Sequence, residues 1–108
     1  MQRLFSALLL AGLVLAGIPA AGQDKIKVVA SFSILGDMVR QVTGDLAEVT
    51  TIVGPDADAH VYTPNVADAK TVTNAEMIFV NGLGFETWSQ TLIETCGTKA
   101  EVLSLIHI

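Results

Sequence analysis

Cysteine is nearly missing from these 108 residues: Cys96 stands alone, so no intrachain disulfide can form. Basic residues are scarce too, six lysines and arginines against 11 aspartates and glutamates, a formal net charge of −5. No basic stripe is present, so nothing points to nucleic acid as a partner. Histidine occurs twice, at His60 and His107, and two of the three prolines flank His60. No serine sits in a nucleophile elbow, and no Ser/His/Asp set can be assembled. No apolar run reaches the roughly 20 residues of a membrane span.

What is present begins with a leader. Met1-Gln2-Arg3 is a short basic start, and the run from Leu4 to Gly17 is broken only by Ser6 and two glycines. Ile18-Pro19-Ala20-Ala21-Gly22 adds a helix breaker and small residues. That order is the n-region, h-region and cleavage site of a secretory signal peptide over residues 1–22. It predicts a periplasmic protein. No cysteine near the cleavage region offers a site for lipid, so no membrane anchor is expected after cleavage. Losing residues 1–22 removes Arg3 and no acid, leaving five basic and 11 acidic residues, or −6. Such a surface suits cations.

The remainder alternates between two periods. Ile26 to Ala30 is a β-rich run. Leu35, Met38, Val39 and Val42 then recur at helical spacing, with Ser33 as the expected N-cap and Gly44 as the stop. Leu46 to Val53 reads as a second strand, rich in β-branched residues. A second helix starts at Thr63-Pro64 or at Asn65, whose partner would be Asp68, and runs to about Asn74. Glu76 to Val80 is nearly continuous in apolar character, as in a strand covered on both faces. Phe85, Trp88, Leu92 and Cys96 mark the inner stripe of a third helix closed by Gly97, and a fourth strand opens at Ala100. The alternation predicts an α/β layer with a mostly parallel sheet, flanking helices and right-handed crossovers.

Between the second strand and the second helix lies Gly54-Pro55-Asp56-Ala57-Asp58-Ala59-His60-Val61-Tyr62-Thr63-Pro64. Pro55 and Pro64 stiffen it, and it follows a strand, at the end of the sheet where ligands bind. His60 on such a loop serves as a metal ligand, a proton-transfer group or a polar turn residue. Asp56 and Asp58 supply oxygens or simply shape the turn. Tyr62 can anchor the loop with its ring. Elsewhere, Asn81-Gly82-Leu83-Gly84-Phe85-Glu86 has two glycines of a dinucleotide fingerprint but not the third, so nucleotide binding is rejected. Glu86 is expected in the first turn of helix three, favourable with the dipole, rather than as a base. Cys96 and Trp88 are expected to pack.

These stretches together carry a resemblance. Val28 to Val39, Gly44-Asp45, Val53 to Pro64, Asp68-Ala69 and Val80 to Trp88 resemble, in that order, the N-terminal portion of the periplasmic metal-binding proteins of zinc/manganese ABC transporters. The resemblance covers residues 26–102. It implies a bilobal solute-binding protein of which residues 23–102 form part of the N-terminal α/β lobe. It also implies a divalent metal, zinc or manganese, as transported ligand, no organic cofactor, a membrane permease as partner, and a monomer that is not an enzyme. His60 takes the position of the first metal ligand, in a motif Asp-x-His-x-Tyr-x-Pro; the other ligands lie further along the family's sequence.

Other readings stay open at this point. His60 could serve a periplasmic hydrolase as general base, or contact a non-metal solute, or belong to a related adhesin active in cell adhesion. The last six residues, Leu103-Ser104-Leu105-Ile106-His107-Ile108, match the in-frame translation of a transposase sequencing adapter. They are expected to be a non-native tail over 103–108, and His107 is given no functional weight.

Overall fold

The computed structural model describes residues 24–106. The leader over 1–22 and His107 lie outside the described residues. Four strands form one parallel sheet: β1 (Ile26–Phe32), β2 (Ala47–Val53), β3 (Met77–Val80) and β4 (Glu101–Ser104), in the order β2-β1-β3-β4. Three helices connect them: α1 (Ser33–Thr43), α2 (Val66–Thr73) and α3 (Thr87–Cys96). Among the described residues no helix is long and apolar enough to cross a membrane.

The register follows the pleat. β1 pairs Val28 with Val49 on one side and with Met77 on the other; β3 pairs Phe79 with Leu103. Successive side chains of β1 therefore feed two cores. Val28 and Ala30 pack with Leu35, Val39 and Ala47 under α1. Val29 packs with Val72, Ala75, Ile78 and Val80, joined by Leu92, Ile93 and the half-buried Cys96 of α3. A strand buried on both faces needs apolar residues at consecutive positions, which is what β1 and β3 have.

Boundaries differ from the expectations in instructive ways. β1 runs two residues further, because Phe32 still pairs with Val53. Residues 44–46 form a short 3-10 turn before β2. The cap of α1 is Phe32, in extended conformation and with no side-chain bond, so Ser33 lies inside the helix rather than capping it. α2 resolves in favour of Asn65. Its Oδ1 accepts from the Asp68 N–H at 2.9 Å and the Asp68 carboxylate accepts from the Asn65 N–H at 2.9 Å, a full capping box. Met38 and Val42, expected inside, are 50% and 87% exposed. β4 reaches Ser104; Leu103-Ser104-Leu105 alternates as a strand does, and an open parallel edge pairs with such a segment.

Candidate metal-binding loop

The strand order reverses direction between β1 and β3: the chain leaves β1 toward β2, then crosses back to β3. At such a switch point the loops beyond the carboxyl ends diverge and leave a crevice, the usual ligand site of open α/β sheets. The loop from Gly54 to Pro64 and the turn from Asn81 to Glu86 both leave strands at this end.

The loop is built from short local bonds. The Ala57 N–H reaches the Gly54 carbonyl at 3.3 Å. The Asp58 Oδ1 accepts from the His60 N–H at 2.8 Å, an Asx-type turn. Asp58 thus shapes the turn. Two longer-range bonds fix the segment on either side of His60. The Trp88 Nε1–H donates to the Ala59 carbonyl at 2.6 Å. The Tyr62 hydroxyl donates to Asp68 Oδ2 at 2.6 Å, and its ring meets that of Trp88 edge-on at 5.2 Å. Asp68 is buried and serves the capping box of α2 with the same carboxylate. Hydrogen bonding to Asp68, with burial and the nearby negative charge adding to it, raises the Tyr62 pKa above its ordinary 10.0.

His60 sits between these anchors, exposed to solvent. Its ring meets Phe85 edge-on at 5.7 Å, and Phe85 lies 5.2 Å from Phe32 at the end of β1. Among the described residues neither imidazole nitrogen has a hydrogen-bond partner, which leaves a lone pair for a metal. Among the described residues no carboxylate bonds the imidazole as the orienting member of a triad would. Among the described residues no three of His, Cys, Asp or Glu converge to hold a metal ion, so Asp56 and Asp58 do not complete a site with His60.

Glu86 departs from the expectation. It is the N-cap residue of α3, 4% exposed, and its carboxylate turns inward. Oε2 accepts from the Ser31 hydroxyl at 2.6 Å and the Asn81 N–H at 3.0 Å; Oε1 accepts from the Gly82 N–H at 2.9 Å. The Asn81 and Gly82 N–H groups of this glycine-rich turn are thus engaged by Glu86. Sequence reasoning missed Glu86 and the Phe32–Phe85 pair. The signal was there: a carboxylate directly after a glycine-rich turn, whose Asn81 and Gly82 N–H groups need an acceptor.

The sequence profile of the family described as "zinc-uptake complex component A periplasmic" matches residues 28–107. The chain belongs to this family. Among family relatives, the manganese-binding lipoprotein MntA of Halalkalibacterium halodurans is 42% identical over 71 residues, 66% of this chain and 24% of its own length. An iron ABC transporter substrate-binding lipoprotein, MtsA of Streptococcus pyogenes, is 39% identical over 74 residues, covering 68% of this chain and 24% of itself. The Mn-bound periplasmic metal-binding protein of Candidatus Liberibacter asiaticus superposes with a TM-score of 0.69 at 33% identity, over 76% of this chain and 30% of that one. The chain spans about a quarter of the length of these curated relatives.

Proposed function

We propose that the protein captures a divalent transition metal outside the cytoplasmic membrane and delivers it to the permease of an ABC transporter. In this reading residues 23–102 supply part of one α/β lobe and His60 is one metal ligand. The remaining ligands come from further along the sequence, because a stable site takes three or four groups in fixed geometry. One observation carries the reading: an imidazole with both nitrogens unengaged among the described residues, on a loop pinned at Ala59 and Tyr62, beside the switch point of the sheet. Those two bonds anchor the loop, so little ordering entropy should oppose binding. The names of the relatives speak of manganese and iron and the family description of zinc, and the choice depends on how many nitrogens and oxygens join His60.

The protein acts as a monomeric receptor, exported by residues 1–22, and binds its ion without converting it. Calorimetry on the full-length protein with Zn²⁺ and Mn²⁺ tests the assignment. His60→Ala should weaken binding by about tenfold or more. Unchanged affinity for both ions would remove His60 from the site.

A further inference from the structure

Among the described residues the imidazole of His60 has no hydrogen-bonded partner to set its rotation, and its one aromatic neighbour is Phe85. What fixes Phe85 therefore fixes the direction in which His60 presents its nitrogens. Phe85 is the residue before Glu86, and Glu86 is held at both ends. Its carboxylate takes Ser31 at the end of β1 and the Asn81 and Gly82 N–H groups at the end of β3. Its carbonyl accepts from the Ser89 N–H at 3.1 Å and the Ser89 hydroxyl at 2.7 Å, in the first turn of α3. The Phe85 N–H closes the turn onto the Gly82 carbonyl at 3.2 Å.

We infer that Glu86 is a positioning residue for the metal site, acting through Phe85 on His60. Its carboxylate ties the ends of β1 and β3 to the start of α3. The Phe32–Phe85 pair lies beside that anchor, and His60 leans on Phe85. The inference rests on His60 being a ligand, and it adds a residue 26 positions away that never touches the ion.

A double-mutant cycle in the full-length protein separates positioning from plain stability. Glu86→Gln keeps the size but puts an amide N–H₂ against donors, so metal affinity should fall about tenfold, within the 10–100-fold range for groups that orient a ligand. Phe85→Leu should cost a similar factor. In the Phe85→Leu background, Glu86→Gln should cost little more affinity while still lowering the melting temperature of the apoprotein. Full additivity of the two affinity losses, or an unchanged affinity in Glu86→Gln, overturns the inference. If Glu86→Gln does not fold, Ser31→Ala removes one of the three carboxylate contacts and should still weaken binding measurably; no change would overturn the inference equally. His60→Ala is measured alongside. If it leaves affinity intact, the His60 assignment fails and takes this inference with it; if it weakens binding while Glu86→Gln does not, Glu86 alone is misassigned.

Discussion

Tyr62 does three jobs with one side chain, and each can be read separately. Its ring packs on Trp88, its hydroxyl bonds Asp68, and its backbone carries the loop from His60 toward α2. The proton on that hydroxyl is held by Asp68, so the folded-state pKa lies above the unfolded value of 10.0. The sign follows: the contribution of this bond to stability is fully present below pH 10 and is lost as the pH rises through the higher folded-state value. Tyr62 is the sole tyrosine of the 108 residues, so ultraviolet absorbance reports its ionisation alone. The midpoint should lie above 10 in the native chain and move back toward 10 in Asp68→Asn. A native midpoint at or below 10 would mean that the hydroxyl does not sit on Asp68.

The loop is only as firm as the helix it runs into. α2 has eight residues, too few to persist on propensity alone, and depends on its capping box and on Val72 in the core. Asn65→Ala should cost about 1 kcal/mol in denaturant unfolding, as loss of an N-cap does. Asp68→Ala should cost more, about 1–3 kcal/mol, because it strands the Asn65 N–H and the Tyr62 hydroxyl together. Equal effects of the two would show that the Tyr62 bond adds nothing. The sequence made the box legible, since Asn65 and Asp68 stand at capping-box spacing. It made the alternation of strands and helices legible too, because the period of the apolar residues is local information. The misreadings share a cause. Ser33 has the hydroxyl of a cap but not the backbone place, which the extension of β1 decides. Glu86 looked like a first-turn acid because its hydroxyl partner, Ser31, lies 55 residues away. Met38 and Val42 keep perfect helical spacing, yet spacing says which face is apolar, not whether anything covers it.

At the scale of the molecule the two faces of the sheet are unequal. α2 and α3 share one face; α1 alone packs on the other, over β1 and β2. Beside it an apolar groove of about 180 Å³ is lined by Leu35, Met38, Val39, Val42, Phe79 and Leu105. A partial lobe this small buries a modest core, and among the described residues no group of three potential ligands forms around His60. Both facts bear on what residues 23–108 do alone. One imidazole binds a divalent ion weakly, since affinity comes from several donors held in one geometry. Titrated with Zn²⁺ or Mn²⁺ at micromolar protein, that segment should give no saturating isotherm, whereas the full-length protein should bind one ion per chain. Stoichiometric tight binding by the segment would place the partners of His60 within it, and the division of the site between this lobe and the rest of the protein would have to be abandoned.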